Sequence, residues 1–368
     1  MKRRQLLSNL AIGSSTAAIA AACARPTTTV ATGTDLPRLE WRMVTSWPKS
    51  LDTIFGGAQD LCDRVAAMTG DRFRITPFAA GEIVGGLEVL DAVQGGTVEC
   101  GHSASYYYVG KNKAFGFPTA VPFGLTAQQQ NAWLYSGGGD LINELYSDFN
   151  VLIFPAGNTG AQMGGWFKRE VNTIQDLQGL KMRIPGIGGE VMARLGVNVQ
   201  VLPGGEVFLA LDRGTIDAAE WVGPYDDEKL GLQNAARFYY YPGWWEPGAT
   251  LHAMVNQSAW QGLPKEYQEV FTAAAFQANA VMLAKYESRN QEALQKLIAG
   301  GTQLRPYGQD VLQAAARATE EIFEENAGQD AAFKKLYDPW KQFRDNVRRW
   351  NGVNELSFEA FVTPPPAN

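Results

Sequence analysis

Residues 217–227, DAAEWVGPYDD, set a carboxylate, Glu220, directly beside an indole, Trp221. A carboxylate among apolar neighbours costs free energy to dehydrate unless a cation meets it. That cation can be an arginine or lysine from elsewhere in the chain. It can also be a hard metal ion, sodium or calcium, which takes carboxylate, amide and backbone carbonyl oxygens together. For the second reading, Gln162 of NTGAQMGGW offers an amide oxygen and Trp221 a backbone carbonyl. Glu246 of GWWEPG offers a second carboxylate, a hydrogen bond to a ligand, or a loop glutamate packed under tryptophans. Arg183 of LKMRIPG stands at the end of a strand-like pair, where its planar fork suits a carboxylate. A surface ion pair is the alternative for it. Asn158 follows the apolar run VLIFPAG, and its amide serves either a ligand or its own turn. The aromatic runs at 106–108, 239–241 and 244–245 read as interdomain core, a sugar-stacking platform or a small apolar pocket. Tyr107, Trp244 and Trp245 would then set the pocket's volume.

Composition narrows the chemistry. The 368 residues suffice for two domains and a large core, with 45% hydrophobic and 19% charged residues. A net charge of -6, with no basic cluster beyond the extreme N-terminus, argues against nucleic acid. Two histidines, His102 and His252, and no CxxC leave little material for a transition-metal site. No GxSxG elbow, GxGxxG fingerprint or P-loop is present. MKRRQLLSNL followed by AIGSSTAAIAAAC reads as an export signal with a twin-arginine pair, Arg3-Arg4, cleaved before Cys23. Lipid anchoring at Cys23 is the alternative to soluble release. Cys62 and Cys100 either pair or stay as two buried thiols.

The elements that must position these residues alternate. LEWRMVTSWP, DRFRITPF and VECGHSAS read as strands, with helices over 51–68 and LEVLDAVQGG between them, which predicts a largely parallel sheet. TAQQQNAWLYSGGGDLINELYSDFN reads as helix and VLIFPAG as a buried strand. A second α/β unit follows through DAAEW, and YYYPGWWEPGATLHAMVNQSAW reads as a crossing between domains. One long helix spans about 264–297, with Ala273, Phe276, Ala280, Leu283 and Tyr286 near one face. A helix from about Gly308 and a last amphipathic helix close the chain. Ligands in such architectures bind at strand C-termini and between domains.

FAAGEIVGGLEVLDAVQGGTVECGHS, LKMRIPG, GGEVMARLG, ALDRGTIDAAEWVGPYDD and YYYPGWWEPG together resemble the extracytoplasmic solute-binding subunits of tripartite ATP-independent periplasmic (TRAP) transporters. The similarity points to the branch that binds 2-oxoacids such as pyruvate. It implies an α/β, two-lobed periplasmic-binding-protein-like fold with a hinge and a long C-terminal helix. It implies lobe I over 36–158 with part of 222–262, and lobe II over 159–221 with part of 263–368. By resemblance, Arg183 clamps the solute carboxylate, and Gln162 and Glu220 hold a metal ion with the Trp221 carbonyl. Glu246 falls where that branch keeps a carboxylate. The solute-binding set is then Arg183, Gln162, Asn158, Tyr107, Trp221 and Glu246, and the metal set is Gln162, Glu220, Trp221 and Glu246. The expected ion is sodium, with calcium as the alternative, lying with the oxoacid between Glu220 and Arg183. The expected partners are a small carboxylate, the TRAP membrane permease subunits and a second copy docked through the helix at 264–297. Expected location is the periplasm, and no enzyme activity is expected. Lactate binding with calcium, a ligand-presenting sensor and a secreted metal-dependent lyase are the competing readings.

Overall fold

Strand β1 (Leu39–Thr45) alternates exposed and buried side chains at its start and is buried throughout its second half, as a strand entering a sheet centre should be. The structure is a computed structural model that describes residues 36–363. The export signal, the twin-arginine pair and Cys23 lie outside the described residues, and the described residues from Pro37 onward form one packing unit. Among the described residues no helix is long and apolar enough to cross a membrane.

The first sheet takes the order β2 (Phe73–Phe78), β1, β3 (Cys100–Ser103), β10 (Thr250–Asn256), β4 (Val151–Asn158). The second takes the order β11 (Gln303–Pro306), β9 (Phe238–Tyr241), β5 (Trp166–Phe167), β8 (Ala218–Ala219), β6 (Lys181–Arg183), β7 (Asn198–Gln200). The chain therefore passes between sheets after β4, after β9 and after β10.

The predicted parallel sheet is realised only in part. β1 runs parallel to β2 and β3, but β10 lies antiparallel between β3 and β4. The reason is the route of the chain. β4 ends at Asn158 where the chain leaves for the second sheet, and the returning chain begins β10 at Thr250, opposite Asn158. Entering from that end forces the reverse direction. β5, the first strand laid down in the second sheet, is antiparallel to β8 and β9 in the same way. All seven residues of β10 are buried, as expected of a strand covered on both faces.

The long helix, Lys265–Ala299, is present with its buried face rotated from the predicted one. Tyr286 is buried as predicted, together with Tyr267, Phe271, Ala274, Ala278 and Met282, while Ala273, Phe276 and Ala280 are exposed and Leu283 is half-buried. In an alanine-rich helix two stripes satisfy the same spacing, and the stripe with the bulkier side chains takes the core. The predicted helix through 126–150 is broken by non-helical backbone at Ser136 and Gly137, the latter with φ 109. Cys62 and Cys100 are free, buried thiols. The chain ends its described part with helices Gln309–Gln329, Ala331–Val353 and Glu355–Val362.

Candidate functional site

Backbone pairing brings the two opposite charges together. β6 and β8 are parallel neighbours with Arg183 opposite Ala219, and the Glu220 amide donates to the Arg183 carbonyl at 3.2 Å. Arg183 and Glu220 thus leave adjacent strand ends on the same edge. The turn after Glu220 is held by Asp227. Its Oδ1 accepts from the amides of Val222 and Gly223, both at 3.1 Å, and its Oδ2 from Trp166 Nε1 at 2.9 Å and Tyr239 OH at 2.7 Å. Pro224 then opens the helix Pro224–Leu230, a position where its missing N–H costs nothing.

Glu220 meets Arg183 directly. Arg183 Nη1 donates to Glu220 Oε1 and, at 2.9 Å, to the Glu220 carbonyl, while Nε donates to the Leu202 carbonyl at 3.1 Å. The guanidinium also lies over the Trp221 ring, 5.1 Å from its centroid. This corrects the expectation that an ion and a solute separate the two groups: parallel pairing of β6 and β8 leaves their side chains within reach of each other. The pair does not close the charge balance. Arg183, Glu220 and Glu246 are 1%, 0% and 3% exposed, so one buried guanidinium faces two buried carboxyl groups. Burial raises the Glu220 carboxyl to about 7, against the pull of Arg183 and with a push from Asp227. Burial first and Glu220 second hold the Glu246 carboxyl well above the usual range. For Arg183, burial pulls the pKa down, but Glu220, Tyr107 and Tyr106 outweigh it and the group stays charged.

Glu246 follows the cis Tyr241–Pro242 bond and accepts from Tyr106 OH at 3.2 Å through Oε2. Its carbonyl accepts from the Gln162 amide at 3.0 Å, and the Gln162 carbonyl from the Gly243 amide at 3.1 Å, so the two loops are stitched together. Gln162 Nε2 donates to Thr159 Oγ1 at 3.1 Å, leaving Oε1 without a partner. Asn158 goes to the other of its two readings. Its Oδ1 accepts from the Gly160 amide at 2.8 Å and its Nδ2 donates to Thr250 Oγ1 at 3.0 Å, so both ends of the amide are taken up by the turn and the strand pairing.

A cavity of about 10 Å³ lies beside these groups, walled by Trp47, Ile54, Tyr106, Tyr107, Thr159, Gln162, Trp221, Val222 and Leu251. Its size is that of about one water. Arg183 stands behind two of its walls, Tyr107 and Trp221. Burial raises the Tyr107 hydroxyl to about 12, so it is a donor at neutral pH. Trp244 and Trp245, which the sequence offered as pocket walls, instead pack in the core, Trp244 stacked on Phe123 and Trp245 edge-on to Tyr307. Sequence reasoning missed Trp47 and Thr159, and reached Tyr106 only as part of the aromatic run 106–108. Trp47 carries one usable signal, an aromatic between a strand end and a proline, SWP.

The unpartnered atoms sort by chemistry. Gln162 Oε1 and Glu220 Oε2 are buried acceptors without a donor, and Arg183 Nη2 and Trp221 Nε1 are buried donors without an acceptor. Such groups call for an explanation in a native fold. The acceptors suit a hard cation and the donors suit an anion. Among the described residues no three His, Cys, Asp or Glu side chains converge, so a cation here would draw on Gln162 and backbone carbonyls as well.

Two parallel strand ends, a buried arginine and a cavity between two α/β sheets describe a binder of small anionic solutes. The chain belongs to the bacterial extracellular solute-binding proteins, family 7 (DctP), whose family model matches residues 43–330. It is 63% identical over 364 residues, 99% of each chain, to a curated protein of Nostoc sp. named monocarboxylate 2-oxoacid-binding periplasmic protein. Among solved structures it is similar to a TRAP transporter solute-binding protein of Bordetella bronchiseptica, at 47% identity and TM-score 0.87, covering 88% of this chain and 97% of that one. That protein is a mixed-occupancy dimer with copurified calcium and picolinate. It is also similar to a TRAP periplasmic solute-binding protein of Pseudoalteromonas atlantica with bound sodium and pyruvate, at 38% identity and TM-score 0.85, covering 87% of this chain and 98% of that one.

Proposed function

We propose that this protein captures a 2-oxo monocarboxylate of about pyruvate size together with a hard cation and delivers it to TRAP membrane permease subunits. The observation that carries the reading is the mixed set of orphaned groups: two buried oxygens that want a cation and two buried N–H groups that want an anion, around one arginine and two carboxyls. Arg183 takes the solute carboxylate through Nη2, and Glu220 Oε1 gives up part of its hold on Nη1. Gln162 Oε1, Glu220 Oε2 and the Trp221 carbonyl hold the cation, with Glu246 as the second acidic group. When bound, the ion offsets the second carboxyl's charge and draws the solute's carboxylate and 2-oxo oxygens to one point. Sodium is our first choice, as the Pseudoalteromonas protein holds sodium with pyruvate, and calcium is the alternative, as the Bordetella protein holds calcium. Tyr107, beside Arg183, donates toward the solute from the same side. Asn158 supports the Gln162 loop.

The remaining parts of the proposal concern setting. The lobes run over 36–158 with part of 222–262 and over 159–221 with part of 263–368. A twin-arginine signal exports the chain to the periplasm. Two copies associate, as in the Bordetella protein.

Titration calorimetry with pyruvate tests the core of this. After exhaustive dialysis into a choline buffer with chelator, binding should be weak, and sodium or calcium should restore it. Pyruvate affinity that ignores both ions would remove the cation. Failure to bind any 2-oxoacid would remove the function, and turnover of the recovered ligand would replace binding with catalysis.

A further inference from the structure

Four aromatic side chains line the cavity, Trp47, Tyr106, Tyr107 and Trp221; Tyr106 is tied through its hydroxyl to Glu246, and Trp47 is tied to the first sheet. Trp47 is 1% exposed, and its Nε1 donates to His102 Nδ1 at 2.7 Å in the middle of the first sheet. Because Nδ1 accepts, the His102 proton sits on Nε2, which donates to the Ala156 carbonyl at 3.2 Å. Burial lowers His102 to about 4, so this arrangement holds across the neutral range. The Trp47 main chain is stitched as well. The Ala80 amide donates to the Trp47 carbonyl at 3.0 Å, the Ser46 amide to the His102 carbonyl at 3.1 Å, and Pro48 follows. The indole cannot swing aside without orphaning two buried polar groups. Trp221 Nε1 lacks a partner, and Tyr107 is less buried than Trp47, with its hydroxyl beside Arg183. Trp47 lies 6.2 Å from the Tyr107 ring and 6.5 Å from the Trp221 ring, centroid to centroid.

Resting on the reading of the site as a 2-oxoacid binder, we propose that Trp47 is the residue that limits ligand chain length, and that His102 is the positioning residue that keeps it there. The polar end of the cavity, at Gln162 and Thr159, takes the head of the solute, and the walls Trp47, Ile54 and Leu251 receive its tail. In a space of about 10 Å³ any solute must part the walls, and a methyl group asks the least movement of them. A longer alkyl tail must move the indole, and the bond to His102 opposes that. The chain thereby selects the shortest 2-oxo monocarboxylates.

The test compares pyruvate with 2-oxohexanoate by calorimetry, cation present, in the parent and in Trp47→Leu, Trp47→Phe, His102→Phe and His102→Asn. The parent should prefer pyruvate. In Trp47→Leu and His102→Phe the preference should fall by about tenfold or more, the scale of a few methylenes in an apolar pocket. Trp47→Phe should show a smaller change in the same direction and decides the matter if the leucine variant does not fold. His102→Asn, whose Oδ1 can take the indole N–H, should keep the parental ratio, which a general loosening of the core would not do. An unchanged ratio in the folded Trp47 and His102→Phe variants overturns the proposal, as does a parent that binds both acids equally. A parent that binds neither acid overturns the functional reading itself, and that outcome appears before any variant is made.

Discussion

At Glu220 a dehydrated carboxyl is held by one guanidinium while a second carboxyl, Glu246, weighs on both. The consequence is a pH dependence with a definite sign. Burial raises the Glu220 carboxyl from an ordinary 4.5 to about 7 and the Asp226 carboxyl from 3.8 to about 7. The folded state therefore binds these protons more tightly than the unfolded state. Their contribution to stability is complete below the ordinary values and is lost as pH rises through about 7. Without added cation, the melting temperature should fall between about pH 5 and about pH 8. Sodium or calcium should raise it more at the upper end, where Glu220 is charged. Differential scanning calorimetry across that range checks this, and a cation effect of equal size at both ends would count against Glu220 as a ligand. Glu220→Gln, which keeps the shape and removes the charge, should blunt the cation effect and flatten part of the slope.

Between elements, a second cluster joins the two sheets away from the cavity. Asp52 stands just before the helix Ile54–Met68, which packs on β2. It accepts from Tyr225 OH at 3.1 Å and pairs with Lys229 at 2.8 Å and Arg289 at 3.3 Å. Tyr225 and Lys229 belong to the helix Pro224–Leu230, which follows β8 of the second sheet, and Arg289 to the long helix Lys265–Ala299. Lys229 and Arg289 each lie 4.9 Å from the Tyr225 ring centroid. Ile54, two residues beyond Asp52, is a wall of the cavity. Asp52→Asn should accelerate ligand release, because the cluster opposes separation of the elements that carry it. These side chains are partly exposed, so the expected gain in release rate is modest, about two- to fivefold. Stopped-flow tryptophan fluorescence would measure it, and an unchanged release rate would show that the cluster only decorates the surface.

For the whole molecule, the long helix at 264–297, which the sequence offered as the dimer surface, spends its apolar side within its own chain through Tyr267, Phe271, Met282 and Tyr286. The last described helix does the opposite. Glu355–Val362 buries none of its residues, and Leu356, Phe358 and Phe361 are 59%, 62% and 90% exposed, with Trp350 and Val353 at 63% and 75% just before them. An apolar strip of this kind is costly to leave in water and suits a self-complementary contact. We propose this strip as a contact surface between two copies, in addition to the long helix, whose Phe276 is also exposed. Phe358→Glu with Phe361→Glu should then convert the dimer to a monomer in analytical ultracentrifugation. The melting temperature of the monomer should stay put, since these rings bury nothing within one chain. A parent that sediments as a monomer would end the dimer expectation.

What the sequence determined by itself was local. The alternation of strand and helix, Arg183 at a strand end, the charge beside Trp221 and the amide of Gln162 could all be read because each depends on spacing within a few residues. The family motifs carried the class of protein for the same reason. Tertiary structure alone decided what those residues face. Arg183 and Glu220 are 37 positions apart, and only the parallel pairing of β6 with β8 puts them in contact. Trp47 and His102 are 55 apart and meet because β1 and β3 are neighbours. The direction of β10 and the inward stripe of Lys265–Ala299 follow likewise from where the chain returns and which bulky groups the core admits, and neither is written in any local pattern of residues.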